Sequence, residues 1–323
     1  MEIIDSHCHV YPKISYLLKE NATKIPAIAY PLIKQIEILE EKLAPGSEQV
    51  YEKIIPLLTK MHKVMGTFNN QSESLISLKD KLYTLGSIGT LFCHSSDDLE
   101  KQMSKFGITK SLIISHPPFI SNDFILELAK KNPNLIPIIN IPEPVDHLEH
   151  LIKCYLKRGA KGLKIHAAAS GLSPNHVHHK EMIKLAHKYD LPTIIHTGSL
   201  EIYPLYKKPE YGHAEEFSAL VELTDSPIIL AHMNIHFPET AIEMCKIYPH
   251  VYTDTSWQNE ENILRAINKC GADKVMFGTD WPIVGNNIDV SLNRLLQLKE
   301  NKKISEAELE QVLSKSAKSV FKL

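Results

Sequence analysis

The sequence predicts an α/β protein, built as a (β/α)₈ TIM barrel with a helical insertion after the first strand. From residue 107 onward, short apolar runs alternate with longer amphipathic stretches, the pattern of strands alternating with helices. Runs such as Ile228–Leu230 and Thr193–Ile195 are apolar throughout, which is typical of strands buried on both faces of a parallel sheet. A doubly wound open sheet is the alternative, because the number of strands does not show closure.

The predicted strands are separated mostly by helix-like segments, such as Asp146–Lys157 and Asn175–Lys188. In chain order the strands are Glu2–Val10, Lys110–Ser115, Leu135–Asn140, Lys161–His166, Pro192–His196, Pro227–Ala231, Val251–Thr255 and Lys274–Gly278. In a barrel, active sites lie at the carboxyl ends of such strands. Polar residues at these ends are therefore the first candidates for a functional site.

Residues 11–106 interrupt the alternation, because they contain helical patterns and no convincing strand. Apolar residues recur at helical spacing from Leu32 to Leu43 and from Val50 to Met65, and Pro45-Gly46 separates the two patterns. We predict one barrel domain over residues 1–323 with a helical cap over 11–106 that closes the barrel mouth. A helical layer on the side of the barrel and a dimerisation arm are the alternatives.

Composition excludes several classes of protein. Lys and Arg number 36 against 38 Asp and Glu, so the chain lacks the basic field that nucleic acids need. The five cysteines form no C-x-x-C motif, and no apolar run approaches the length of a membrane helix. The opening residues lack the pattern of a signal peptide. We expect a cytoplasmic protein that binds a small molecule, with a homodimer left open.

Histidines and an aspartate collect at the predicted strand ends. His7 and His9 share one face of the first strand, His196 ends the fifth, His232 follows the sixth and Asp280 follows the eighth. Imidazole together with carboxylate suits Zn²⁺, Mn²⁺ or Fe²⁺, whereas Ca²⁺ and Mg²⁺ prefer oxygen ligands. The pattern predicts one divalent transition metal, with Zn²⁺ preferred and a second metal not expected. For His232, a purely structural role is the alternative to a role at the metal site.

These segments, in this order, resemble the amidohydrolase superfamily, and in particular its amidohydrolase-2 branch, which includes aminocarboxymuconate-semialdehyde decarboxylase and lactonases. The resemblance is carried by Ile4-Asp5-Ser6-His7-Cys8-His9, Gly162-Leu163-Lys164-Ile165-His166, Ile195-His196-Thr197-Gly198, Ala231-His232 and Gly278-Thr279-Asp280-Trp281-Pro282. It implies a mononuclear metal site formed by His7, His9, His196 and Asp280. It also implies catalytic roles for Asp280 and His232 beside the metal and its water.

Four further residues are predicted to contact substrate: Lys164, His166, His116 and Trp281. Lys164 is ambiguous, because a carboxylated lysine near this point bridges two metals elsewhere in the superfamily. A contact to an anionic group of the substrate and a structural role are the other two interpretations.

The function that follows is a metal-dependent hydrolase, which cleaves an amide, ester or lactone of a small organic molecule through metal-bound hydroxide. A metal-dependent decarboxylase is the alternative within the same family. A binding barrel without catalysis is a third class, and it is disfavoured because all the metal-site positions of the family are filled.

Overall fold

The structure is a computed structural model, and it describes residues 1–12, 95–198, 206–283 and 288–323. Eight parallel strands in these ranges form one sheet in the order β1 to β8, alternating with helices as a (β/α)₈ barrel does. The strands are β1 (Ile4–Cys8), β2 (Lys110–Ile114), β3 (Leu135–Asn140), β4 (Gly162–Ile165), β5 (Thr193–His196), β6 (Ile228–Ala231), β7 (Val251–Asp254) and β8 (Val275–Met276). The sequence prediction of the fold class is confirmed, and all eight strands lie within their predicted ranges.

Helices separate the strands and cover the outside of the barrel. They are α1 (Ser96–Phe106), α2 (Asn122–Lys131), α3 (Leu148–Lys157), α4 (Ala167–Ser170), α5 (Val177–Lys188), α6 (Ser218–Val221), α7 (Pro238–Ile247), α8 (Glu260–Cys270), α9 (Ile288–Glu300), α10 (Glu306–Glu310) and α11 (Ser316–Phe321). Four short 3₁₀ turns and one π-helical turn join them within the described ranges. None of the helices in the described parts of the chain is long and apolar enough to cross a membrane.

The end of the predicted insertion belongs to the barrel. Helix α1 leads directly into β2, and its residues Leu99 and Met103 are buried in the core between strands and helices. Ser95 starts this helix with a capping box, and Gly107 ends it in the left-handed conformation (φ 70°) that glycine adopts without a steric penalty. The rest of the predicted cap, residues 13–94, lies outside the described residues.

The apolar residues form two layers, because successive side chains of a strand point to opposite faces. One layer fills the barrel interior and includes Ile4, Leu112, Ile194, Ile229 and Met276. The other lies between the strands and the helices. Helix α11 packs against the interior layer, and a side chain at Gly162, the first residue of β4, would contact Phe321 at 3.3 Å. Between this layer and the carboxyl ends of the strands, polar side chains line the barrel interior.

The barrel closes between β1 and the residues around β8. The backbone N–H of Ser6 donates to the carbonyl of Phe277 at 2.8 Å, and the N–H of His9 donates to the carbonyl of Trp281 at 2.7 Å. The buried carboxylate of Asp5 accepts from the N–H of Thr279 at 3.1 Å and from its hydroxyl at 2.6 Å. We call this contact the closing seam, and it brings His7 and His9 next to the loop that carries Asp280.

Candidate metal and catalytic site

Polar side chains follow the interior apolar layer toward the carboxyl ends of the strands. Seven of the eight strands contribute one or two of them, and all except His116 are at most 8% exposed. They are His7 and His9 from β1, Lys164 and His166 from β4, His196 from β5, His232 after β6, Asp254 from β7 and Asp280 after β8, with His116 after β2 half-buried by accessible area. The structure therefore brings the predicted strand-end residues to one buried site.

His7, His9 and Asp280 form the group best arranged to hold a cation. Nε2 of His7 lies 3.5 Å from Oδ1 of Asp280, and Nε2 of His9 lies 3.3 Å from the same oxygen. One ligand atom from each residue lies within 4.8 Å of the other two, and all three residues are buried. The indole N–H of Trp257 donates to Oδ2 of Asp280 at 2.6 Å, so the carboxylate is held with Oδ1 toward the histidines.

The protonation of the two histidines follows from the partners of their other ring nitrogens. Nδ1 of His9 lies 2.9 Å from the carbonyl oxygen of Ile114, which only accepts, so Nδ1 carries the proton. Nδ1 of His7 lies 2.9 Å from Oδ2 of Asp254, and burial keeps the pKa of His7 well below its usual value. Both Nε2 atoms therefore present lone pairs to Asp280, and that of His7 has no hydrogen-bond partner among the described residues. Lone pairs facing a carboxylate oxygen fit a divalent cation between them.

Asp254 is a site residue that the sequence analysis did not select. Its Oδ1 accepts from the backbone N–H of His232 at 3.2 Å and from the N–H of Ser256 at 3.0 Å, and the Ser256 hydroxyl also donates to it. Burial raises the pKa of Asp254 to about 6 against these hydrogen bonds, so the group is ionised at neutral pH. Its position at the end of β7, equivalent to that of the other strand-end residues, was the signal that could have identified it.

His232 and His196 lie side by side next to His7. Nε2 of His232 is 3.1 Å from Nδ1 of His196, and the rings of His232 and His7 have centroids 4.5 Å apart. Nε2 of His196 lies 3.1 Å from the carbonyl oxygen of Gly198. The structure therefore places His196 in the site, but outside the two groups of three residues whose ligand atoms converge, His7–His9–Asp280 and His7–His232–Asp254.

His116, His166 and His196 form a ladder of nearly parallel rings. The centroids of His166 and His196 are 3.8 Å apart at an interplanar angle of 10°, and those of His116 and His166 are 5.4 Å apart at 18°. Burial is the largest cause that lowers the pKa of all three imidazoles, so they stack as neutral rings. This ladder was predicted only as two separate substrate contacts and one ligand.

Lys164 is 2% exposed, and its Nζ has no hydrogen-bond partner among the described residues. Burial lowers the pKa of the ammonium group to about 8, against the opposing effect of the Asp280 and Asp254 carboxylates. The group therefore remains mostly protonated at neutral pH. Trp281, the remaining predicted substrate contact, is also buried, at 4% exposure. It lies in the hydrophobic layer between strands and helices and not in the barrel interior.

Two tyrosines near the site were also missed. Tyr11 and Tyr206 are both 8% exposed, and the Tyr206 hydroxyl lies 3.5 Å from Nε2 of His196. Burial, followed by the charge of Asp280, raises the pKa of both phenols, so they act as hydrogen-bond donors. Neither tyrosine ends a strand, which is why the strand-end pattern did not reveal them. In the His176–His179 run, His178 and His179 are buried in the first turn of helix α5.

The buried histidines give the stability of the protein a defined pH dependence. Burial, then the charges of His9 and Lys164, lowers the pKa of His116 to about 3. The His116 imidazole has a pKa of about 6.5 in the unfolded chain. As the pH falls from there to about 5, His116 takes up a proton only in the unfolded chain, and the free energy of unfolding therefore decreases. The loss is about 2 kcal/mol for His116 alone. We expect urea unfolding with chelator present to show a smaller loss between about pH 7.5 and about pH 5 in His116→Asn than in the wild type.

The matched control is His150→Asn, on the exposed side of helix α3, which should keep the wild-type pH dependence. The raised pKa values of Asp5, about 7, and Asp254, about 6, act in the opposite direction, because folded carboxylates then hold protons that unfolded ones release. They are present in all three proteins and cancel in the comparison. An identical pH dependence in His116→Asn and the wild type would contradict the assignment of a neutral His116.

Comparison with known proteins gives a match to one sequence family and to several solved structures. A sequence model of the amidohydrolase family matches residues 93–323. No curated protein sequence matches the chain. Among solved structures, a zinc-bound amidohydrolase from Burkholderia multivorans superposes with a TM-score of 0.58 at 15% identity, over 73% of this chain and 91% of that one.

Two further solved structures match over the whole length of this chain. A protein described as a probable 2-pyrone-4,6-dicarboxylic acid hydrolase, from Acinetobacter baumannii, has a TM-score of 0.59 at 11% identity and is covered completely. A dihydroxybenzoic acid decarboxylase from Polaromonas sp. JS666, with bound manganese, has a TM-score of 0.58 at 17% identity and is covered over 97%. At these identities the structures show a shared fold alone. The family match spans more than two thirds of the sequence, and the chain belongs to the amidohydrolase family.

Proposed function

We propose that this amidohydrolase is a metal-dependent hydrolase, which cleaves an amide, ester or lactone bond of a small organic molecule. The observation that carries the proposal is the pairing of candidate ligands with proton acceptors. Asp280 and the His232 ring both adjoin His7, and all three side chains are buried. Hydrolysis needs groups that take a proton from water and return it to the leaving group, and these two side chains would supply them.

The residues that would hold the metal are His7, His9 and Asp280, with His196 as the fourth predicted ligand. Both ring nitrogens of His196 have a partner, Nδ1 in His232 and Nε2 in the Gly198 carbonyl, so His196 would exchange one of these contacts for the ion. A bound Zn²⁺, or alternatively Mn²⁺ or Fe²⁺, lowers the pKa of water and polarises a substrate carbonyl. One ion is proposed.

The protein's own groups would divide the remaining work. Asp280, held by Trp257, would accept the proton of the attacking water and pass it to the departing group. His232 would hydrogen-bond the same water or the developing negative charge. Lys164, His166 and His116 would contact the substrate, and the phenols of Tyr11 and Tyr206 would donate to its polar atoms. Trp281 supports this site from the hydrophobic layer behind it.

A metal-dependent decarboxylase is the second candidate, and Lys164 is the observation that favours it. A buried ammonium without a hydrogen-bond partner among the described residues fits a carboxylate of the substrate, because pairing would offset its burial. Decarboxylases also occur among the structurally similar proteins.

A split substrate screen tests the two candidates against each other. Protein reconstituted with Zn²⁺ or Mn²⁺ is assayed with lactones, with amides and esters, and with aromatic carboxylates, following acid release for the first two classes and CO₂ release for the third. We expect turnover in the first two classes. Turnover confined to carboxylates, with CO₂ as product, would replace the hydrolase by the decarboxylase. Metal binding without turnover in any class would favour a binding barrel.

A further inference from the structure

We propose that Gln258 is a positioning residue, which holds a strained backbone turn closed and thereby fixes the direction of the His232 ring. The turn consists of His232–Ile235 and follows β6 directly. Gln258 lies in the loop beyond β7, next to Trp257. The inference rests on the proposed function, in which His232 contacts the attacking water or the developing negative charge.

The first observation is the backbone of this turn. All four residues have a positive φ, which is 61° at His232, 49° at Met233, 60° at Asn234 and 38° at Ile235. Residues with a Cβ rarely adopt such angles, and a β-branched residue such as Ile235 does so least readily. Every other non-glycine residue with a positive φ in the described parts of the chain occurs singly. Contacts from outside the turn are therefore needed to maintain it.

Gln258 supplies such contacts at both ends of the turn. Its Nε2 donates to the carbonyl oxygen of His232 at 2.7 Å and to that of Ile235 at 3.0 Å. Carbonyl oxygens only accept, so the nitrogen of the Gln258 amide, and not its oxygen, must face them. The two N–H groups of one side chain thus join the first residue of the turn to the last.

The Gln258 side chain is itself held in this orientation. It is buried, and its Oε1 accepts from Nδ2 of Asn262 at 2.8 Å. The backbone carbonyl of Gln258 accepts from the guanidinium of Arg294 at 2.6 Å. Asn262 lies in helix α8 and Arg294 in helix α9, so two helices of the outer layer hold Gln258 in place.

The neighbouring strand β5 supports the turn from another side. The Thr197 hydroxyl donates to the carbonyl oxygen of Ala231 at 2.5 Å and accepts from the N–H of Asn234 at 3.0 Å. Gly198 packs closely against the turn, because a Cβ at this position would lie 2.6 Å from the Cβ of Ile235. These contacts meet the middle and the end of the turn, whereas Gln258 also holds its first residue.

The direction of the His232 ring depends on the turn because His232 is its first residue. The centroid of this ring lies 4.5 Å from that of His7 and 4.8 Å from that of His196. Opening the turn would change φ and ψ at His232 and move the ring away from both. Asp280 would stay, because its backbone N–H donates to the His7 carbonyl. Loss of the Gln258 amide should therefore displace one of the two proposed proton acceptors and leave the other.

The experiment is hydrogen exchange, followed by mass spectrometry, on Gln258→Met without metal or substrate. Methionine is close to glutamine in size but has no donor for the two carbonyls. The readout is the peptide that covers residues 232–236, which includes the Ile235 N–H bonded to the His232 carbonyl at 2.8 Å. We expect exchange in this peptide to be about 10–100-fold faster than in the wild type, because two buried hydrogen bonds are lost. Peptides from β1 and β5 should exchange at the wild-type rate.

Asn122→Leu is the matched control, because Asn122 is also a buried amide at a strand end. Its Nδ2 donates to the carbonyl of Asn140 at 2.8 Å, away from the turn. It should leave the exchange of residues 232–236 unchanged. Wild-type exchange in Gln258→Met would overturn the proposal. Equal acceleration of this peptide in Asn122→Leu, or acceleration spread evenly over the chain, would do the same.

Asn262→Ala is a milder variant, since it removes only the partner of the Gln258 Oε1 at a partly exposed position. We expect a smaller acceleration in the same peptide. If Gln258→Met does not fold, Asn262→Ala decides alone, and wild-type exchange of residues 232–236 then overturns the proposal.

The separation of kcat from KM gives a second readout in the zinc-loaded protein. With the best substrate of the screen, we expect Gln258→Met to lower kcat by about 10²-fold, the effect of a small misplacement of a catalytic group. KM and zinc content should stay close to the wild-type values, because His7, His9 and Asp280 are not bonded to Gln258. An equal loss in zinc content or a rise in KM without a change in kcat would indicate a general structural role and contradict the proposal.

Hydrogen exchange does not depend on turnover, so the two proposals can fail separately. Local acceleration in Gln258→Met together with no hydrolysis of any substrate would leave the contact between Gln258 and the turn intact and remove the hydrolase. Hydrolysis with a wild-type kcat in Gln258→Met would keep the hydrolase and remove the positioning role of Gln258.

Discussion

Replacing Asp280 by asparagine is expected to lower turnover by about 10²–10⁴-fold, the range that general acid–base catalysis contributes. The amide keeps one oxygen, which can face His7 and His9 or accept from the indole N–H of Trp257, but not both. It cannot accept and return a proton as a carboxylate does. The measurement is the steady-state rate of the metal-loaded variant with the best substrate of the screen.

The fold should survive this change, because Asp280 holds its backbone to β1 through N–H donation to the His7 carbonyl at 2.7 Å. Circular dichroism and metal content serve to check this. Asp225→Asn, at an exposed position, is the matched control and should turn over at the wild-type rate. A near-normal rate in Asp280→Asn would move the proton transfer to another residue, and His232 is then the first to be tested.

The double variant His7→Ala with His9→Ala is expected to lose the bound ion altogether. It removes two of the three ligand atoms that converge within 4.8 Å, and a single carboxylate holds a transition metal only weakly. Elemental analysis after reconstitution with Zn²⁺ should give about one ion per chain for the wild type and close to none for the variant. The thermal stabilisation by added Zn²⁺ should disappear with it.

His147→Ala with His150→Ala is the matched control, since it removes two histidines away from the barrel interior and should retain the ion. Wild-type protein that holds no ion after reconstitution would show that the assigned site does not bind metal. An unchanged metal content in the double variant would place the ion elsewhere in the chain.

The strand-end residues could be predicted because their positions depend on a local pattern. Apolar runs fix the strands, alternation fixes which side chains point inward, and parallel strands bring their carboxyl ends together. His7, His9, His196, His232 and Asp280 all reached one site by this reasoning.

The remaining features depend on contacts that no local pattern records. Ser256 and Trp257 lie beyond β7, and their importance follows from their contacts with His232 and Asp280, which the fold brings to them from other strands. Tyr206 enters the site from the long connection after β5. The stacking of His166 on His196 likewise results from the stagger of neighbouring strands. Such contacts can be identified only from the tertiary structure.

The closing seam also determines when the site can exist during synthesis. His7 and His9 are made before Asp280, with 271 residues separating the seam partners Ser6 and Phe277. At about 5–20 residues per second, roughly 14–54 s pass between the two halves of the seam. Until then a nascent chain carries two histidines without their carboxylate partner. At the proposed site, a metal ion would therefore be acquired only after β8 docks, and it would join β1 to the later-made loop that carries Asp280.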